Sequence, residues 1–216
     1  MSLAPANYDF GKSSNYSFAT TVTCANEDAR KMFVEGFGHM LNFNHEQAIA
    51  CYMKVAELDP NCAMAYWGIA YCVSSNYNWT PGLGSGHDPI QQAISLKGGC
   101  SELEQDLIDA LAQRHSEAAR DAADPSVLNM GNTPELNAAF AAAMAPIYEK
   151  YKGNLDVAAI YVEALMNLKA WQLWDKNTKT GEITPADDNT LICVKVMEDA
   201  FENIEGAKEH IALCHL

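Results

Sequence analysis

Positive charge is scarce in this sequence. Its 216 residues carry 14 Lys and Arg against 28 Asp and Glu, a formal net charge of −14. Such a chain repels a phosphate backbone and an anionic membrane surface, and no Lys/Arg cluster offsets the imbalance; nucleic-acid binding is discounted. No apolar run is long enough to span a bilayer. The opening stretch, MSLAPANYDFGKSSNYSFAT, has neither the basic lead-in nor the apolar core of a secretory leader. These absences predict a soluble, cytoplasmic protein. The seven cysteines at 24, 51, 62, 72, 100, 193 and 214 form no CxxC pair, which removes the usual zinc-ribbon signature. Their odd number fits buried free thiols in a reducing compartment. Also missing are a Gly-rich phosphate loop, a nucleophile elbow, an HExxH motif and a dinucleotide fingerprint. No run of alternating β-branched residues marks a strand.

What is present is helical spacing. With 49% apolar and 19% charged residues, the chain can bury a sizeable core and is no solvated tail. Residues 1–25 are polar and mixed, and predict an arm lying on a body formed by 26–216. Asn26 with Asp28 predicts a helix start, because short polar side chains satisfy the free amides of a first turn. The next helix, NHEQAIACYMKVAELDP, has Asn44 as its expected cap and Asp59-Pro60 as its stop. CAMAYWGIAYCVSS is apolar almost all round, which predicts burial on more than one side. NYNWTPGLGSGHDP then breaks the pattern with three glycines and two prolines in fourteen residues. Helical spacing returns over 88–152, and again in NLDVAAIYVEALMNLKAWQLWD, NTLICVKVMEDAFENI and the unfinished-looking 206–216. KNTKTGEITPADD is expected to be a loop. The sequence predicts an all-α fold.

At a spacing of 34 residues Met32 falls on Tyr66 and Gly36 on Ala70. With Ala48, Tyr52 and Pro60, residues 29–73 resemble a tetratricopeptide repeat, whose period is about 34 residues. Small residues at Gly36 and Ala48 allow close helix approach, and Val55 departs from the small residue usual there. Residues 154–203 resemble a degenerate repeat around Ala164, Cys193, Met197 and Ala200, while 88–152 is out of register. The motifs FNH, DPNCAMAYWGIAY, NYN, DVAAIYVEALMNLKAWQLW and H…CHL resemble a group of larger bacterial and fungal tetratricopeptide-repeat proteins of unsettled activity. The resemblance implies antiparallel helix pairs stacked into a short right-handed solenoid with a non-repeat insert. It also implies that this chain is an N-terminal part of something longer.

Several residues carry chemistry that a plain repeat does not need. His45, after the cap Asn44, projects from a helix N-terminus, where the dipole favours anions and disfavours imidazole protonation. It serves equally well as a helix-entry support. Asn76, Tyr77, Asn78 and Trp79 offer amide and aromatic contacts in a glycine-rich loop suited to close ligand approach. His39 lies six residues before His45. His210 and Cys214 are four apart on one helical face, with His215 adjacent, so a transition metal held by some of His39, His45, His210, Cys214 and His215 is a candidate cofactor. The spacing matches no recognised signature, and packed helices explain the same residues. Trp171 and Trp174, three apart, read as a core stripe. The acidic run SELEQDLID reads as a solvated helix face.

Two functions remain open. A repeat scaffold would hold an extended peptide, a protein partner or a second copy through its last helix, with basic or polar partners favoured by the charge. Alternatively, Asn44, His45, Asn76, Tyr77, Asn78, Trp79 and His210 would converge on an enclosed pocket for a small molecule, with or without a metal and with or without catalysis.

Overall fold

The computed structural model describes residues 16–78, 85–115 and 134–216. Nine α-helices lie among them: α1 Glu27–Leu41, α2 His45–Leu58, α3 Ala63–Val73, α4 His87–Leu96, α5 Glu102–Ala112, α6 Pro134–Lys150, α7 Leu155–Met166, α8 Asp188–Asn203 and α9 Ile211–His215. The described residues are mostly helical, with one two-stranded antiparallel ribbon. Its strands, β1 Trp174–Lys176 and β2 Ile183–Pro185, pair Asp175 with Thr184. Its second strand lies in the segment expected to be loop, while its first begins at Trp174 and Asp175, in the stretch expected to be helix.

Helix starts follow local chemistry. Asn26 Oδ1 accepts the Ala29 amide at 2.7 Å, and Asn154 accepts those of Asp156 and Val157. Ser101 and Glu104 form a reciprocal capping box on α5, satisfying two amides that a helix cannot bond internally. Asn44 occupies the N-cap of α2, but its side chain makes no cap bond.

Consecutive helices pack on one another from α1 through α4, and α5 lies on both α3 and α4. The series continues from α5 through α6 and α7 to α8, and α9 folds back onto α7 and α1. Close approach of α2 and α3 depends on Gly68, where an added Cβ would come within 2.5 Å of the Tyr52 ring. Trp67 is fully buried, donates from Nε1 to the Leu107 carbonyl at 3.1 Å and thereby ties α3 to α5. The last helix, read in the sequence as unfinished, buries Ala212 and Leu213 against its own chain.

Three expectations change. The acidic face is not wholly solvated: Glu104 is buried and accepts both the Thr23 amide, at 2.7 Å, and the Thr23 hydroxyl, at 2.6 Å. A carboxyl used to hold another segment reads like any helical acid until that segment is in place. The helix expected to run through Trp174 ends at Met166, followed by one 3-10 turn at Asn167–Lys169. Trp171 and Trp174 are consequently not a core stripe but 72% and 51% exposed. Trp171 has a φ of 63°, a left-handed conformation that a bulky residue adopts only at a cost.

The described part of the N-terminal segment is woven into the core. Tyr16, Phe18, Ala19 and Val22 are all buried. Phe18 meets the rings of Phe33, Phe37 and Trp67 edge-on. Asp156, fully buried at the start of α7, accepts the Phe18 amide on Oδ2 at 2.7 Å. Its other oxygen, Oδ1, takes His210 Nε2 at 2.9 Å. One carboxyl thus joins the beginning, middle and end of the described chain.

Candidate functional site

A patch of polar side chains is buried where the end of α3 meets the N-terminus of α2, the C-terminus of α5 and the middle of α7. Tyr71 donates its hydroxyl to Glu163 Oε2 at 2.6 Å, and both residues are buried. Asn167, just past the end of α7, reaches Glu163 Oε1 at 3.5 Å. Burial, then the Glu163 carboxyl, pushes the Tyr71 phenol well above its ordinary range, so it stays a donor.

Arg114 lies in the same patch and is 2% exposed. It donates from Nη2 to the Ser75 carbonyl at 2.6 Å and from Nε to Asn137 Oδ1 at 2.9 Å. Its guanidinium also sits over the Phe140 ring at 5.5 Å. A buried guanidinium without an opposite charge is costly. Glu163 is the acidic group electrostatically coupled to it.

His45 enters from α2. Its Nδ1 lies 3.1 Å from the Cys72 carbonyl and 3.3 Å from Asn76 Nδ2. The Cys72 carbonyl requires an Nδ1–H, whereas the Asn76 Nδ2 donor requires a bare Nδ1; the closer contact, with the carbonyl, favours Nδ1–H and a lone pair on Nε2. That Nε2 is buried and has no hydrogen-bond partner among the described residues. Burial lowers the imidazole's proton affinity, with Glu163 opposing and Arg114 reinforcing the shift. A neutral histidine therefore presents an unused proton acceptor in a water-poor site. Such an atom suits proton abstraction, a donor group of a ligand, or a metal.

His115 completes the patch from the side of α4. Ser74 bonds its Nε2 at 2.9 Å, and burial followed by Arg114 depresses it to about 3. Gly86 packs against it so closely that a Cβ there would stand 2.4 Å from the ring.

The residues singled out in the sequence divide among several places. His45 and Asn76 meet directly, and Asn76 Oδ1 also accepts the Asn78 amide at 2.9 Å. Tyr77 stacks obliquely on exposed Trp171, with centroids 5.2 Å apart. Trp79 lies outside the described residues. Asn44 turns away, placing Nδ2 3.4 Å from His39 Nδ1. His210 is engaged by Asp156, and Cys214 donates to the Lys208 carbonyl at 3.2 Å. His215 meets Phe43 edge-on while the other flank of Phe43 stacks on His45.

The five candidate metal ligands do not form one cluster. Among the described residues, the group able to hold a metal combines His39 with Glu35 and Cys51, whose ligand atoms lie within 4.8 Å of one another.

Sequence reasoning missed Tyr71, Arg114, His115 and Glu163. Glu163 had a visible signal: it is the one charged residue in the otherwise apolar stretch Val157–Met166. A helix apolar all round is buried, and a lone acid within it must be buried too. Comparison with family models, with curated proteins and with solved structures gave no match. The reading of function rests on this geometry alone.

Proposed function

We propose that the chain is a helical scaffold of tetratricopeptide-repeat type turned inward, with a small polar ligand held at the centre formed by His45, Tyr71, Glu163 and Arg114. The observation that carries this reading is His45 Nε2, a buried lone pair in the tautomer that the Cys72 carbonyl favours, with no partner of its own among the described residues. Buried polar atoms are nearly always bonded, and exceptions point to a ligand or to chemistry. Arg114 and Glu163 supply both signs of charge beside it, and Tyr71 supplies an oriented hydroxyl. The site therefore suits a neutral or zwitterionic molecule that donates a hydrogen bond to His45. Where the bound group carries an acidic proton, His45 is the base that takes it.

The test is a thermal-shift screen of small polar metabolites against wild type, His45→Asn and Tyr71→Phe. A compound that raises the melting temperature of wild type and neither variant supports the site. Equal stabilisation of all three proteins places the ligand elsewhere and ends the proposal.

A peptide-binding reading has one observation of its own. A groove of about 380 Å³ between α6, α7 and α8 is lined by the stacked Tyr148 and Tyr161 with Ile192, Val196 and Lys195. Native mass spectrometry separates the two readings, since one adds a small mass and the other a polypeptide.

A further inference from the structure

We propose that Glu35, His39 and Cys51 form a zinc-type metal site that staples α1 to α2, separate from the small-molecule centre. Glu35 and His39 are four apart on α1, and this spacing puts both side chains on one helical face. His39 Nε2 and Glu35 Oε1 stand 3.9 Å apart. Cys51 joins them from α2, with all three ligand atoms within 4.8 Å of one another. The approach that brings the cysteine in depends on Gly36, where an added Cβ would lie 3.0 Å from Cys51 Cβ. Donor atoms on one tetrahedral zinc lie roughly 3.3–3.8 Å apart, given Zn–N near 2.0 Å and Zn–S near 2.3 Å. Closing on an ion therefore requires small side-chain adjustments, for which Glu35, the most solvent-exposed of the three, has the most room.

Chemistry selects the class of ion. A thiolate, an imidazole and a carboxylate suit zinc and its borderline neighbours, whereas magnesium and calcium require oxygen ligands. Charge also balances: one dication meets one thiolate and one carboxylate at a largely buried place, leaving no net charge to desolvate. Without metal, burial and the Glu35 carboxyl raise the Cys51 thiol to about 12, so it holds its proton. On binding, the sulfur–hydrogen bond breaks, the lone pair passes to the metal, and one proton leaves to solvent.

Supporting partners stand behind two ligands. Gln47 lies one turn from Cys51 on α2 and its side chain favours the thiolate. Asn44 faces His39 Nδ1 at 3.4 Å. With the Asn44 amide turned end for end, Oδ1 accepts Nδ1–H and directs the His39 Nε2 lone pair toward Glu35 and the metal. Three protein ligands leave a fourth tetrahedral position, as in metal centres that accept a water or an exogenous ligand.

The experiment uses untagged full chain titrated with Co²⁺ and then competed with Zn²⁺. One Co²⁺ per chain, with a thiolate-to-metal charge-transfer absorption bleached by Zn²⁺, is expected. That absorption should vanish in Cys51→Ser, and Asn44→Ala should weaken binding by about 10- to 100-fold. Glu35→Gln, at the most exposed ligand, keeps the test valid if the cysteine variant does not fold: its Co²⁺ affinity should drop while its far-ultraviolet circular dichroism shows the same helical content as wild type. Absence of the charge-transfer band in wild type, or its persistence in Cys51→Ser, overturns the site. So does an unchanged affinity in Glu35→Gln. Loss of the small-molecule reading at His45 leaves these outcomes untouched.

Discussion

His115 shows how burial fixes the state of a single side chain. In the folded chain it is depressed to about 3, while unfolded it titrates near 6.5. Its neutral form contributes stability fully above the unfolded value. As pH falls below about 6.5, the unfolded chain takes a proton that the folded chain refuses, and stability drops until pH reaches about 3. The slope is about 1.4 kcal/mol per pH unit for one such proton. His115→Gln keeps a polar group near Ser74 but does not titrate. Urea denaturation between pH 4 and pH 7 should therefore give a flatter profile for the variant; parallel profiles would show that His115 protonates in the folded state. None of this is legible in RHS at the end of α5, since an arginine and a histidine after an amphipathic helix read as an exposed C-terminal turn. They are buried because α3 and α6 close over them: Arg114 reaches Ser75 on one side and Asn137 on the other.

Helices α1 to α3 announce themselves, and α7 hides its role. The expected cap Asn26 accepts the amide three residues on, and Asp59-Pro60 ends α2 where a proline stop was expected, although Asn44 at its start makes no side-chain cap bond. Asp156, by contrast, reads as an ordinary acid in a first helical turn. Its actual partners, Phe18 and His210, are 138 and 54 residues away. Asp156→Asn keeps one acceptor oxygen but turns an amide donor toward either the Phe18 N–H or His210. The expected loss is about 1–3 kcal/mol, the cost of leaving a buried donor unsatisfied. Hydrogen exchange should show protection falling together at Phe18 and Leu213 while amides of α2 and α3 hold. Uniform loss across all helices would mean that the two ends have no independent opening. Trp171 marks the limit of periodicity at this scale. Its spacing from Trp174 is helical, yet the 3-10 turn after Met166 and the left-handed backbone at Trp171 end the helix first.

At the scale of the molecule, the −14 charge acts as a distributed self-repulsion that the fold must overcome. The ion pairs with both side chains well exposed, such as Lys152–Glu149 and Lys54–Glu57, contribute little that salt can remove. Screening should therefore favour the folded chain, and the melting temperature should rise between 0.05 and 0.5 M sodium chloride. A falling melting temperature would mean that attractive pairs outweigh the net repulsion. Among the described residues no helix is long and apolar enough to cross a membrane, consistent with the lack of apolar runs.

The sequence by itself determined the mostly helical class and most helix starts and stops. These depend on chemistry within a few residues: caps, breakers and the 3.6-residue period. Only the tertiary structure decided which polar residues share the buried centre. Tyr71 and Glu163 are 92 residues apart, and nothing in either neighbourhood encodes the other. It likewise set Glu35 and Cys51 beside His39, where the sequence had grouped that histidine with His45, His210, Cys214 and His215. A side chain's partners across a helix interface depend on how two helices cross, and that crossing is set by the summed packing of the whole chain.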